Sequence, residues 1–145
     1  MGSEEMSDDL PAIITQGAAL RGNEYGWEIA AFPNALAHAE ALGYGCLGGQ
    51  FQFRLQDGST CEMYWLNADS NDRVEGEAWS EYSHRSCSEV LKRFQQLIVK
   101  TDFRKEVSNW PVVKAAITQG LDLMSALVFV AYFVSEAEES SPSVH

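Results

Sequence analysis

Residues 50–65, read as QFQFRLQDGSTCEMYW, alternate apolar and polar side chains on both sides of an Asp-Gly pair. Phe51, Phe53 and Leu55 lie on one apolar face, and the return segment alternates so that Trp65 falls on the same face. A period of two is typical of a half-buried β-strand, and Asp-Gly is a strong turn signal. This stretch therefore predicts an antiparallel β-hairpin with one face towards a hydrophobic core, which restricts the chain to folds that contain a sheet.

The same pattern predicts the length of the hairpin loop. A two-residue turn would place Phe53 opposite Glu62, which mixes an aromatic ring and a carboxylate on one face. A three-residue loop over residues 56–58, with Gly58 in the left-handed conformation, places Phe53 opposite Cys61 instead. Because the buried face sets the register, we predict the three-residue loop. Cys61 is then a buried thiol that packs as a small hydrophobic side chain.

Two helices are predicted on either side of the hairpin. Residues 33–43 combine alanine and leucine with Pro33 in the first turn and Gly43 as the terminator. Residues 77–99 place apolar side chains at helical spacing on one face, and acids and bases alternate at i,i+4 spacing over residues 81–93. A hairpin or small sheet packed against several helices makes an α+β fold, which we predict as a single domain.

The remaining segments have weaker patterns. Residues 10–22 predict a short helix or a single helical turn, with Gly17 and Gly22 as the alternative end points, and YGWEIAAF, residues 25–32, predicts an additional strand. Apolar spacing over residues 113–132 continues through Gly120 and predicts either one kinked helix or two abutting helices, beginning near Pro111. Residues 127–134, LVFVAYFV, are rich in β-branched and aromatic side chains, so a final strand is the alternative for that part.

The length of 145 residues predicts one folded domain. We expect residues 1–9 to form a disordered leader, residues 10–135 the domain, and residues 136–145 a flexible acidic tail. The first residues are acidic and no apolar stretch follows them, so no secretory signal is expected. The longest apolar run, residues 127–134, is too short to cross a bilayer. With three cysteines, an odd number, we expect a cytoplasmic bacterial protein without disulfides or membrane contact.

Charge is the strongest functional signal in the chain. The formal net charge of −11 argues against a nucleic-acid partner, because phosphate binding needs a basic surface. Residues 57–81 contain seven acids against one arginine, a net charge of −6, whereas residues 82–114 contain seven bases against three acids, a net charge of +4. One interpretation is a solvated face with charges that complement a helix dipole. The other is an acidic surface that steers a basic protein partner into contact.

The candidate partner-binding residues lie between the hairpin and the start of the long helix. They combine carboxylates with two aromatic anchors, because aromatic side chains are enriched at protein interfaces. They are Tyr64, Glu62, Asp69, Asp72, Glu75, Glu77, Trp79 and Glu81. The predicted register places Tyr64 on the polar, exposed face of the hairpin.

Catalytic and metal-binding patterns are weak by comparison. Cys46, His84 and an acid such as Glu62 are the one set of nucleophile, base and orienting residue that can be assembled. His84 falls on the charged side of its helix, so we interpret it as a surface histidine, and Cys46 as a structural thiol. The sequence contains no C-x-x-C, H-E-x-x-H or EF-hand pattern. We therefore expect no metal and no cofactor.

Two other functions stay open as alternatives. One is a small cysteine-dependent hydrolase or transferase that uses Cys46 or Cys61. The other is an oligomeric scaffold, with a homodimer formed through the apolar C-terminal segment within residues 121–145. The leading hypothesis is a non-enzymatic binding protein.

The layout of LGGQFQF, DGSTCEMYW and EGEAW around a helix, a hairpin and an acidic loop resembles the small acidic immunity proteins of bacterial polymorphic-toxin systems. The resemblance covers residues 27–110, and no functional residue is carried over from it. It implies a cytoplasmic, cofactor-free protein that binds one cognate toxin and blocks it. The expected partner is then a protein toxin with a basic cleft, such as a nuclease, whose substrate charge the carboxylates imitate.

Overall fold

The computed structural model describes residues 10–139, which form a five-stranded antiparallel sheet packed against helices, so the predicted single α+β domain is confirmed. The strands are β1 (Ala18–Arg21), β2 (Glu24–Glu28), β3 (Gly45–Arg54), β4 (Thr60–Asp69) and β5 (Leu127–Val134). The helices are α1 (Ala12–Thr15), α2 (Phe32–Ala41), α3 (Trp79–Lys100), α4 (Phe103–Glu106), α5 (Pro111–Thr118), α6 (Leu123–Ala126) and α7 (Glu136–Glu139), with a 3₁₀ turn at Val107–Asn109. The strand order is β1-β2-β5-β3-β4. The predicted leader and the last six residues of the predicted tail lie outside the described residues.

Strands β3 and β4 form the predicted hairpin with the predicted loop. Residues 56–58 make the turn, and Gly58 has a φ of 96°, a conformation that glycine adopts at little cost. Phe53 pairs with Cys61 as predicted, and both side chains are buried. The burial of one strand face and the chemistry of the turn therefore select the same register.

The register changes further along the hairpin, and this change corrects the predicted position of Trp65. Between Gln50 and Phe51 the pairing on β4 skips residues 64–66. These residues form a bulge, which interrupts the alternation of inward and outward side chains. Trp65 is 50% exposed instead of buried, and Leu66 takes the inward position.

The C-terminal apolar run forms β5, so the strand alternative is correct for residues 127–134 and the favoured helix up to residue 132 is wrong. Helix α5 ends at Thr118, Gly120 follows with a φ of 110°, and the short α6 leads into the strand. β5 lies between β2 and β3, and its side chains from Leu127 to Ala131 are buried on both faces. A strand that is buried on both faces has a continuous run of apolar residues in its sequence. Periodicity alone does not distinguish such a run from a buried helix.

The N-terminal segment contains the predicted short helix and a strand, β1, that the sequence pattern does not predict. Helix α1 has four residues and is followed by Gly17, whose φ is 77°. The predicted short helix is therefore confirmed as α1, with Gly17 as the glycine that ends it, and the chain then enters β1, which pairs with β2. The additional strand predicted within residues 25–32 is confirmed as β2. The helices predicted over residues 33–43 and 77–99 are confirmed as α2 and α3.

The two long helices, α2 and α3, pack on one face of the sheet, around a cluster of phenylalanine rings. Phe129 of β5 lies at the centre of this cluster. Its ring centroid is 4.6 Å from that of Phe32 in α2, 4.9 Å from that of Phe51 in β3 and 5.1 Å from that of Phe94 in α3. Alternate strand residues point to the other face of the sheet, which we call the outer face.

The outer face is crossed by the side chain of Arg54. Its guanidinium donates to the carbonyl oxygens of Ala19 (2.7 Å) and Glu24 (3.0 Å), which ties β3 to the two N-terminal strands. It also donates to Oε1 of Gln52 (2.7 Å), a side chain that is 1% exposed. A Cβ added at Gly26 would lie 2.9 Å from Cζ of Arg54, so this glycine is where the arginine can approach the sheet closely.

Candidate functional site

The loop that connects β4 to α3, residues 70–78, carries several of the predicted partner-binding acids. Arg85, near the start of α3, holds this loop against the helix. Its guanidinium donates to the carboxylate of Glu77 (2.7 and 2.9 Å) and to that of Glu89 (3.0 Å). It also donates to the carbonyl oxygen of Asp72 (3.1 Å). One side chain thus joins both ends of the loop to the helix.

A second layer of hydrogen bonds completes this arrangement. The Glu89 carboxylate accepts from the backbone N–H of Asn71 (2.8 Å), and the Glu77 carboxylate accepts from the N–H of Val74 (3.2 Å). Arg73 donates to the carbonyl oxygen of Glu77 (2.8 and 3.1 Å). Because these contacts satisfy backbone groups as well as charges, they favour one conformation of the loop.

Glu77 belongs to this internal network, which corrects its prediction as a partner-binding residue. Its side chain is only 9% exposed. Hydrogen bonds from Arg85 lower the pKa of Glu77 to about 2, so the carboxylate is ionised near neutral pH. Its charge is neutralised by the arginine of its own chain, and we exclude it from the candidate site.

Trp79 is also turned inward, which corrects its prediction as an aromatic anchor. The residue is 8% exposed, and its indole Nε1 donates to the carbonyl oxygen of Gly43 (2.6 Å). The guanidinium carbon of Arg73 lies 5.2 Å from the centroid of the indole ring, within the range of a cation–π contact. Trp79 therefore links the start of α3 to the residue that follows α2, and its ring contacts the loop through Arg73.

Four of the predicted carboxylates remain exposed, and we call them the acidic loop surface: Asp69, Asp72, Glu75 and Glu81. Asp69 and Asp72 line a cleft of about 400 Å³ that Glu139 of α7 also lines. Glu81 lies in the first turn of α3, where its carboxylate accepts from the N–H of Ala78 (3.3 Å). An acid at this position is stabilised by the helix dipole and still presents its charge to solvent.

Glu62 and Tyr64 lie on a different surface, the outer face of β4. Tyr64 is 65% exposed, as its predicted position on the polar face requires. A hydrogen bond with Glu62 raises the pKa of Tyr64, so the phenol stays protonated at neutral pH. The structure thus divides the eight predicted residues among the outer face of the sheet, the acidic loop surface and the interior.

Sequence reasoning misses the central role of Arg85. The i,i+4 spacing predicts its pairing with Glu89, and that ion pair is present at 3.0 Å. Its closer partner, Glu77, precedes the helix by two residues, so helical spacing does not indicate the contact. Sequence reasoning also misses Glu139, because its place in a predicted tail does not indicate that it lines a cleft with Asp69.

The three cysteines are all buried and free. Burial raises the pKa of Cys46 and of Cys61, and it raises that of Cys87 to about 12. His84, the candidate base, is exposed, and its Nδ1 lies 2.6 Å from the carboxylate of Glu40. A buried thiol with a raised pKa is a poor nucleophile because little of it is ionised, so this arrangement argues against a cysteine-dependent reaction.

We expect the thiols of the folded protein to resist Ellman's reagent at neutral pH and all three to react once the chain is unfolded in guanidinium chloride. The measurement is the absorbance of released thionitrobenzoate against time. A single thiol that reacts on mixing with the native protein would instead support the cysteine-dependent hydrolase or transferase.

Within residues 10–139, no three or more His, Cys, Asp or Glu side chains are grouped so that they could hold a metal ion. In the same part of the chain, none of the helices combines the length and the hydropathy needed to cross a membrane. Comparison with models of known protein families, with curated proteins and with solved structures found no match.

Proposed function

We propose that this protein is a non-enzymatic binding protein that neutralises a cognate protein toxin in the bacterial cytoplasm, as an immunity protein does. The acidic loop surface is the contact region, and the partner presents a basic cleft. One observation carries the proposal: the exposed carboxylates are mounted on a loop that Arg85 holds against α3.

The fixed loop supports a binding role because ordering a flexible loop on association costs free energy. A loop of this composition, rich in Asn, Asp, Ser and Gly, would otherwise be mobile. The contacts of Arg85 with Glu77 and Asp72 order the loop already in the free protein, so association does not have to order it. The outward carboxylates are then preorganised for a partner.

The partners of the two arginines near the loop also support the proposal. Arg85 is occupied by two carboxylates and Arg73 by a carbonyl oxygen and the Trp79 ring. These bases therefore stabilise the loop, and the acidic loop surface keeps its own charge towards solvent. Acids that face solvent together increase the rate at which a basic partner associates, and salt reduces that rate.

Aromatic side chains on β4 provide a second element of the proposed interface. Tyr64 remains a candidate anchor, and the bulge exposes Trp65 beside it. The Trp65 indole donates to the carboxylate of Glu106 (2.9 Å) and stacks on the ring of Trp110, with centroids 6.5 Å apart. These contacts hold a large, partly exposed ring in place, and exposed aromatic rings of this kind contribute strongly to protein interfaces.

The test begins with the toxin gene that we expect beside the gene for this chain. Its product is expected to arrest growth of a bacterial host, and co-expression of this chain is expected to restore growth. With the purified pair, the triple substitution Asp69→Asn, Asp72→Asn and Glu75→Gln is expected to slow association by roughly fivefold or more at low salt. The difference is expected to shrink at about 1 M NaCl, where charges are screened. Stopped-flow fluorescence measures the rate.

The matched control neutralises three exposed acids elsewhere: Glu28→Gln, Asp122→Asn and Glu136→Gln. Both variants change the net charge by the same amount, so a difference between them reports the position of the charges. Equal association rates of the two variants would remove the acidic loop surface from the mechanism. Failure of the unmodified chain to restore growth would contradict the proposed function itself.

A further inference from the structure

A cleft of about 550 Å³ lies between the hairpin turn and helix α5. Residues 55–57 form one wall, and residues 119–122, which follow the helix, close one end. The opposite wall contains Val112, Ala115 and Ala116, whose spacing places them on one face of α5. The volume is within the range of sites that bind small molecules.

The surface of this cleft is largely apolar. Leu55 is buried, Ala116 and Leu121 are half-buried, and Val112 is 39% exposed. Sites for small molecules are lined mainly by apolar side chains, with a few polar groups that select and orient the ligand. The apolar lining therefore fits the carbon body of a small ligand, and the polar groups indicate what its head group is.

The charges at the cleft are negative. Asp57 and Asp122 line it, and no Lys, Arg or His is among the lining residues in the described part of the chain. Hydrogen bonds from Ser59 lower the pKa of Asp57, so this carboxylate is ionised at neutral pH. The carbonyl end of α5, the negative end of its dipole, also lies at the cleft. A positively charged head group is favoured here, and an anionic one is disfavoured.

Both walls are fixed by hydrogen bonds of the chain itself. In the turn, the N–H of Ser59 donates to the Asp57 carboxylate (2.8 Å), and Arg21 donates to the carbonyl oxygens of Leu55 (3.0 Å) and Ser59 (3.1 Å). After α5, the N–H of Leu121 donates to the carbonyl oxygen of Ala116 (3.0 Å), as in a Schellman motif. The cleft is therefore preformed, which lowers the cost of binding.

We infer that this cleft binds a small organic cation that carries an ammonium group on an apolar body. The body packs against Leu55, Val112 and Ala115, and the ammonium group pairs with the carboxylates of Asp57 and Asp122. The inference does not rest on the proposed function, because the cleft shares no residue with the acidic loop surface.

The test uses the full chain, labelled with ¹⁵N, and 4-phenylbutylamine as the probe at neutral pH. We expect the amide signals of residues 55–58 and 115–122 to shift in nuclear magnetic resonance titrations. Two compounds with the same body serve as controls, 4-phenylbutanol and 4-phenylbutanoate. The amine is expected to bind roughly fivefold more tightly than the alcohol, and at least about tenfold more tightly than the carboxylate.

Variants of the chain separate the contribution of charge from that of the apolar surface. The double substitution Asp57→Asn and Asp122→Asn is expected to weaken binding of the amine about fivefold and to leave binding of the alcohol unchanged. An asparagine at position 57 can still accept from the N–H of Ser59 but carries no charge. The control, Glu28→Gln with Glu136→Gln, removes the same charge from exposed positions outside the cleft and is expected to bind the amine as the unmodified chain does.

A third variant, Ala115→Phe, fills the cleft from an exposed position of α5. It is expected to abolish the shifts caused by the amine and by the alcohol alike, because it occupies the space of the shared body. Thermal unfolding of this variant is expected to match that of the unmodified chain, since the substituted side chain lies outside the core. Binding of the amine that survives Ala115→Phe would place the ligand elsewhere.

Three further results would overturn the inference. One is the absence of shifts up to about 10 mM amine, a concentration that detects even weak complexes. Another is equal binding of the amine and the carboxylate. The third is binding of acetyl-phenylalanyl-lysine amide at least about tenfold more tightly than the amine, because the occupant would then be a side chain of a protein and not a free small molecule.

Discussion

Replacing Gly49 by alanine is expected to destabilise the protein by about 3 kcal/mol or more. Gly49 lies in β3, where it pairs with Ala131 of the central strand. A Cβ at this position would overlap the carbonyl oxygen of Val130 and lie 2.8 Å from Cε2 of Phe129. The Val130 carbonyl oxygen is a backbone atom of β5, which is paired on both sides. Moving either strand to make room would therefore break hydrogen bonds of the sheet. Urea unfolding followed by circular dichroism measures the loss.

Gly43→Ala is the matched control for this substitution. Gly43 has a φ of 85°, and no atom lies within 4 Å of a Cβ built there. Only the left-handed conformation opposes alanine at this position, at a cost of about 1–2 kcal/mol. If Gly49→Ala costs no more than Gly43→Ala, the close approach of β3 and β5 is not a constraint on this fold.

Phe129→Ala is expected to destabilise the protein by about 3–5 kcal/mol, as in other substitutions of a buried aromatic residue by alanine. The Phe129 side chain is fully buried, and rings from α2, β3 and α3 surround it at 4.6 to 5.1 Å. Its removal leaves a cavity between the sheet and both long helices. Those elements are held by several other contacts, so they cannot collapse fully into the space.

Phe133→Ala provides the comparison on the same strand. Phe133 is only partly buried, and its ring lies 5.6 Å from that of Trp27. We expect a clearly smaller loss of unfolding free energy, because less apolar surface leaves water at this position on folding. Equal losses for the two variants in urea titrations would show that the phenylalanine cluster is not the main support of the sheet–helix interface.

The elements that sequence reasoning predicts correctly depend on close neighbours in the chain. The hairpin loop follows from Gly58 and from strand alternation over a few residues. The helix α2 follows from a proline at its start and a glycine after its end. Turn chemistry, helix capping and side-chain periodicity depend on residues only a few positions apart. A short stretch of sequence is therefore enough to predict these elements.

The elements that sequence reasoning misses depend on residues far apart in the chain. The strand identity of β5 depends on pairing with β2, about 100 residues earlier in the chain. The bulge at residues 64–66 depends on how β4 meets β3 and on the ring of Trp110, which stacks on Trp65. Apolar composition alone is compatible with either helix or strand, and the tertiary partners select one of them.

The candidate site shows the same division. The sequence alone establishes that residues 57–81 are acidic and that residues 82–114 are basic, because net charge depends on which residues are present and not on their positions in space. Which acids face solvent is a different matter. Folding places Arg85 in contact with Glu77, as their short ion pair requires. The carboxylates of Asp69, Asp72, Glu75 and Glu81 remain exposed to solvent. The contact of Arg85 with Glu77 exists only when the loop has closed over the helix.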